Sequence, residues 1–320
     1  MNRLLKIFVA IYFTIYTVSG NFKVSNLNEV LGYMYEITEN EGQFPIYEIK
    51  DVETNSWFRI SPKRGGIVTS YGVNGEEQLY FEQPTFDDPT ANIRGGIPIL
   101  FPICGQLVNK TYEWDEKTYL MDNHGVARTN PWAVVSTEQQ SDYASITIKQ
   151  ESTAETLESY PFAYELEFTF KLQAQKLHIE QKYSNHSVND MPMYAGFHPY
   201  FLVDHKENTI ESDASLIYYI AAQRELPYTG LIEMEKLPDS IAFSKAATKQ
   251  ISFQPRADRK ITLTYGKEFE YVVIWSLDGK PFLCVEPWMA LINELNTKQE
   301  LVYVKPNIPL TTFMTIGVGS

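Results

Sequence analysis

Cysteine is almost missing from this chain. Only Cys104 and Cys284 occur in 320 residues, and they have neither the close spacing of a zinc site nor the density of a disulfide framework. Both lie in apolar runs, Pro102-Ile103-Cys104-Gly105 and Phe282-Leu283-Cys284-Val285, and read as buried thiols, with a single disulfide as the alternative. Cationic residues are outnumbered: 27 Lys and Arg against 40 Asp and Glu give a formal charge of −13. A field of that sign repels phosphate backbones and argues against a nucleic-acid partner, and any small anion would need a local arginine cluster. Long amphipathic helices, heptads and fixed-period repeats are missing too, which excludes helical bundles, coiled coils and solenoids. No Pro- or Ser-rich linker divides the chain.

The start of the chain has no apolar run long enough for a comfortable membrane span. Arg3 and Lys6 precede the apolar stretch Ile7–Tyr16, and the small residues Thr17-Val18-Ser19-Gly20 follow it. That is a signal-peptide layout with a cut near Gly20; an uncleaved anchor and an internal start at Met34 are the alternatives. Residues 1–20 are therefore expected to be a signal peptide or anchor, 21–33 an extension, and 34–320 one domain. The protein is secreted or periplasmic on the signal reading and cytoplasmic otherwise. Sequons at Asn109-Lys110-Thr111 and Asn185-His186-Ser187 do not decide this, because a chain of this length carries about that many by chance.

Aromatic residues are plentiful, at 14%, and aromatics favour strands and walls for flat ligands such as sugars. Short apolar runs broken by turns follow one another: Phe44–Ile49, Trp57–Ile60, Ile67–Val73, Glu77–Phe81, Lys110–Trp114 and Lys117–Met121. Asn74-Gly75 marks a hairpin turn, and Asp115-Glu116 another. In Tyr164–Leu172 the apolar positions are Leu166, Phe168, Phe170 and Leu172, and Leu177, Ile179 and Tyr183 continue the pattern after a turn. Period two over neighbouring segments predicts a half-buried antiparallel sheet, with His178 on its polar, solvated face and without a role. Further strands are expected at Lys249–Phe253, Lys260–Tyr265, Phe269–Trp275, Pro281–Val285 and Ile308–Val318, with a helical turn in Ala290–Leu295. Arg94–Gly105, with two prolines and three glycines, reads as a shaped loop rather than a central strand. The fold class is all-β, two large packed sheets.

Chemistry concentrates in a few stretches. In Tyr194-Ala195-Gly196-Phe197-His198-Pro199-Tyr200-Phe201 the proline holds His198 out of any helix, among aromatics, where an imidazole could titrate near neutrality; a core histidine is the alternative. Glu286 ends an apolar strand before Pro287-Trp288, where partial desolvation raises a carboxylate's basicity. A carboxylate paired with a lysine is the alternative there.

Arg94-Gly95-Gly96-Ile97-Pro98 to Gly105, His124 to Arg128, Phe197 to Phe201 and Val285 to Trp288, in that order, resemble the aldose 1-epimerase (galactose mutarotase-like) family, with its hexose-6-phosphate mutarotase branch the nearest match. The resemblance runs from about Met34 to the C-terminus. It implies a β-supersandwich of two large, mostly antiparallel sheets and cofactor-free, metal-free interconversion of sugar anomers by a monomer, with a small sugar or sugar phosphate as partner. It implies His198 as general acid and Glu286 as general base, with His198 protonated and Glu286 ionised at the same time near neutral pH, gripping one pyranose from opposite edges of a cleft. It implies His124 as a second sugar-contacting histidine, and Arg94 and Arg128 at a phosphate, with Asn123 beside them. One departure stands out: where the family places a sugar-binding aspartate after a tyrosine, this chain reads Tyr218-Tyr219-Ile220-Ala221-Ala222-Gln223-Arg224, and Asp239 comes later, before the next strand. A catalytically silent carbohydrate-binding protein on the same fold is the competing reading. A glycoside hydrolase ranks last, because it would need two carboxylates flanking one bond.

Overall fold

The computed structural model describes residues 34–204, 207–228, 232–233 and 240–319. Residues 1–20, the extension 21–33 and Asp239 lie outside them. The all-β expectation holds. Among the described residues, helices are limited to short turns such as Gln83–Asp87, Ala154–Ser159 and Glu294–Thr297, the last of these beginning where a turn in Ala290–Leu295 was expected to end. None is long and apolar enough to cross a membrane.

The first large sheet has eight antiparallel strands. In spatial order they are Ile210–Glu211, Gln250–Arg256, Arg259–Tyr265, Leu310–Gly319, Lys176–Asn185, Tyr164–Gln173, Tyr143–Glu151 and Ala133–Gln139. Its middle follows the alternation: Leu166, Phe168, Phe170 and Leu172 are fully buried and the residues between them are partly exposed. Each such Leu or Phe contributes about 1.5–3 kcal/mol by leaving water.

The second large sheet runs Arg224–Pro227, Leu216–Tyr219, Ile241–Ser244, Tyr271–Trp275, Phe282–Trp288, Gly196–Phe197 and Ile99–Leu100, and Tyr200–Leu202 also pairs with Phe282–Trp288. Here Phe282–Trp288 is buried at every residue. Arg94–Gly105 was expected to be loop throughout, but Ile99–Leu100 forms the last strand of this sheet. Its flanking prolines are tolerated because an edge strand has one side without ladder bonds. A five-stranded meander, Tyr35–Asn40, Ile46–Asp51, Ser56–Ser61, Ile67–Val73 and Glu76–Glu77, precedes both sheets. Asn74 and Gly75 take φ 52° and 84° in its last turn, the geometry their dipeptide signalled.

One hydrophobic cluster joins the three units, from Ile49 and Phe58 through Phe168 to Val285. Cys104 and Cys284 are buried and form no disulfide, which decides between the two readings of the cysteines. Of the two sequons, Asn185 is fully buried and its Nδ2 donates to the carbonyls of Asn189 and Val304 at 2.8 and 2.9 Å, so it cannot carry a glycan; Asn109 is exposed.

Candidate active site

Register along Phe282–Trp288 builds the site. Gly196 pairs with Trp288 and Tyr200 with Cys284. Carried through the interval, that register sets His198 opposite Glu286. On the other side Val273 pairs with Glu286 and Trp275 with Cys284. Because side chains alternate, Cys284, Glu286 and Trp288 share one face with His198, Tyr200 and Trp275, while Leu283 and Val285 point into the core. Pro199 interrupts the ladder, and the His198 N–H donates instead to the Pro98 carbonyl at 3.1 Å.

His198 Nε2 lies 3.4 Å from Glu286 Oε2, which also accepts from Trp288 Nε1 at 3.2 Å. Tyr200 stacks on the imidazole with ring centres 4.6 Å apart, and Trp275 and His124 meet it edge-on at 5.8 and 5.4 Å. The two groups stand side by side rather than at opposite edges of a cleft. Both are also cut off from solvent. His198 is 8% and Glu286 1% exposed. Burial, then the nearby Arg128 and Arg94, pushes His198 down to about 3. Burial pushes the Glu286 carboxyl well above its usual range, against the Trp288 hydrogen bond. Burial thus acts against charge on either group, since little solvent reaches them to stabilise an imidazolium or a carboxylate. An uncharged pair and an ion pair hold the same number of protons, so they differ only in where one proton sits.

His124 sits at φ 66°. Its Nδ1 accepts from the Gly105 N–H at 2.9 Å while its own N–H donates to the Gly105 carbonyl at 2.8 Å. That bond leaves Nε2 to carry the proton of the neutral ring, and burial, then His198 and Arg128, holds the ring neutral by pushing its pKa well down. Next to it, Gly125 has φ 72°, and a Cβ there would lie 2.3 Å from the Phe101 carbonyl oxygen, so only glycine brings His124 so close to that strand.

A cavity of about 280 Å³ brings together Arg94, Asn123, His124, Arg128 and His198. Glu286, 1% exposed, touches His198 and is not among the residues that line the cavity. Arg128 Nη2 donates to Asn92 Oδ1. Among the described residues neither Arg94 nor Arg128 forms an ion pair with a carboxylate. Arg64 is the contrast. It is buried, and its guanidinium donates to the carbonyls of Thr85, Phe86, Asp88 and Ala91, tying down the segment that leads to Arg94.

Sequence reasoning missed several cavity residues. Tyr200 lay inside a quoted motif without a role, Trp275 closes an apolar strand, and nothing local marked Asn92; Trp288, also inside a motif, stands off the cavity and donates to Glu286. The segment Tyr218 to Arg224 forms a hairpin at the far edge of the second large sheet, and none of its residues lines the cavity. His178, expected in solvent, is half-buried and hydrogen-bonds Thr315 Oγ1 at 3.1 Å, since strand Leu310–Gly319 packs alongside.

An aldose 1-epimerase family model matches residues 59–307, a stretch that includes every residue lining the cavity. The chain belongs to the aldose 1-epimerase family. Among solved structures, the Slr1438 protein from Synechocystis sp. PCC 6803 is 33% identical over 89% of this chain and 99% of its own, with a TM-score of 0.83. A galactose mutarotase-like protein from Clostridium acetobutylicum shares the fold at 18% identity, TM-score 0.76, over 89% of this chain and 99% of its own. Protein LacX of Lactococcus lactis is 25% identical over 281 residues, 78% of this chain and 91% of LacX. The fold is the galactose mutarotase-like supersandwich.

Proposed function

We propose that this aldose 1-epimerase family member interconverts the α and β anomers of a hexose 6-phosphate by acid–base ring opening, with a free hexose as the poorer substrate. The observation that carries the reading is the 3.4 Å contact between His198 Nε2 and Glu286 Oε2 beside a cavity that also holds His124. Ring opening removes a proton from the anomeric hydroxyl and delivers one to the ring oxygen. Both oxygens are bonded to the same carbon, so acid and base must stand next to each other. Glu286 as carboxylate takes the hydroxyl proton, His198 as imidazolium gives one to the ring oxygen, the ring C–O bond breaks and an aldehyde forms. Rotation about C1–C2 and the reverse transfers give the other anomer. Sugar hydroxyls replace the missing solvent and make the ion-pair form of the buried couple accessible. His124 Nε2–H donates to the sugar, and Trp288 orients the carboxylate. Each proton transfer contributes about 10²–10⁴-fold in rate.

The two guanidiniums without carboxylate partners support the phosphate. A charge-assisted bond from each contributes about 1.5–3 kcal/mol. Expression with a true signal at residues 1–20 would favour a free sugar instead, and N-terminal sequencing of the native protein tests that. The main experiment follows optical rotation after adding the protein to freshly dissolved α anomers of glucose 6-phosphate and of glucose. Equilibration should accelerate, more for the phosphate, and Glu286→Gln and His198→Asn should each remove the acceleration. If both variants equilibrate the anomers like the parent, the reading is wrong. Calorimetric binding without any acceleration would make the protein a silent carbohydrate binder.

A further inference from the structure

Cys284 stands on the cavity face of its strand, two residues before Glu286 and directly across from Tyr200. The same register that pairs the acid with the base therefore brings a thiol beside them. One ring nitrogen of His198, the Cys284 sulfur and one oxygen of Glu286 all lie within 4.8 Å of one another. Imidazole, thiolate and carboxylate are the donors that zinc prefers, and three protein donors leave a fourth position open. Bonds of about 2.0–2.3 Å to a tetrahedral ion require donors about 3.3–3.8 Å apart, so small side-chain rotations complete the set. A second observation points the same way. His198 is 8% exposed and its Nδ1 has no hydrogen-bond partner, which leaves an unsatisfied polar atom buried in the same cluster. Anomer exchange leaves the thiol unused.

We propose that His198, Cys284 and Glu286 form a site for a thiophilic divalent cation, Zn²⁺ in the first instance, whose occupancy switches the acid–base couple off. Binding the ion displaces two protons to solvent, one from the thiol and the one shared by His198 and Glu286, so two positive charges enter and two leave. The other groups facing the three donors are Tyr200, His124 and Cys104, with Arg94 and Arg128 at the rim and Trp288 on the carboxylate. The guanidiniums oppose any cation. Only one that gains a metal–thiolate bond offsets this, so Mg²⁺ and Ca²⁺, which take oxygen donors, do not bind.

Binding is independent of the proposed activity; only the switching rests on it. The test titrates the full chain with Co²⁺ and follows the thiolate-to-cobalt charge-transfer band in the near ultraviolet. The band should appear, be displaced by Zn²⁺ and not by Mg²⁺, persist in Cys104→Ser and vanish in Cys284→Ser. Cys284→Ala serves where the serine variant does not fold. By calorimetry, Zn²⁺ affinity should drop more than about 100-fold in Cys284→Ser and, in the parent, rise up to about 100-fold per pH unit. In the anomer assay Zn²⁺ should inhibit the parent and not Cys284→Ser, each protein being compared with its own metal-free rate. No cobalt–thiolate band, or one that survives loss of Cys284, overturns the site. A band in a protein that accelerates no anomer exchange supports the site and overturns the proposed function instead.

Discussion

The two large sheets treat an ionisable cross-strand neighbourhood in opposite ways. In the first, His178 pairs across from Lys171 and Thr315, with Glu180 nearby, and the group is half-open to water. In the second, His198 faces Glu286 with almost no water, between Tyr200, Trp275 and Trp288. Residue types are similar, yet only the second site has its pKa values pushed far in opposite directions. Sheet position causes this. In the first sheet Tyr164–Gln173 buries one face, whereas Phe282–Trp288 is covered on both, so its alternate residues meet aromatics instead of solvent.

The largest effect should come from breaking the couple in the second sheet while sparing its counterpart in the first. Glu286→Gln is expected to lower the anomerisation rate by about 10²–10⁴-fold, while Glu180→Gln leaves it unchanged in the same polarimetric assay. Next comes the packing that both sheets share. Phe168→Ala should cost about 3–5 kcal/mol in urea unfolding, as a cavity opens in the core, without changing the rate per folded molecule. Smaller still, Arg128→Gln should raise KM for a hexose phosphate by about tenfold or more and leave KM for a free hexose as it was, because only the phosphate meets the lost guanidinium.

Acid sensitivity sharpens the comparison further. His198 is held near 3 in the folded chain against 6.5 ordinarily. A depressed value means that the unfolded chain binds the proton more readily, so the stability from keeping this ring neutral is complete above 6.5 and is lost as pH falls toward 3. His198→Asn should therefore flatten the decline of urea midpoint across that window. His178 is lowered too, by burial first and then Lys171 and Lys176, but it stays partly exposed. His178→Asn should change stability by no more than about 0.5 kcal/mol and alter the acid slope least of all.

Much of this was legible beforehand, for local reasons. The alternation in Tyr164–Leu172 reports one-sided burial directly, and Asn74-Gly75 announces a turn that few other dipeptides make cheaply. The ordered motifs named His198, Glu286, His124, Arg94 and Arg128 because a proline, glycines or aromatics crowd each of them. Asn92 and Trp275 escaped notice because nothing beside them in the chain marks them. They reach the cavity only because the Arg64 clamp holds the segment before Arg94 and because Trp275 pairs with Cys284. The edge strand Ile99–Leu100 was hidden by prolines that matter only to a strand paired on both sides.

By itself the sequence determined the all-β class, the large half-buried sheet, the hairpin turns and the short list of groups able to move protons, since each depends on residue type and spacing along a few positions. Tertiary structure decided that His198 and Glu286 are cross-strand neighbours, that burial opposes charge on both, and that a thiol stands with them. Those depend on strand register and on the exclusion of water from both faces of one strand, which are properties of contacts between segments far apart in the chain.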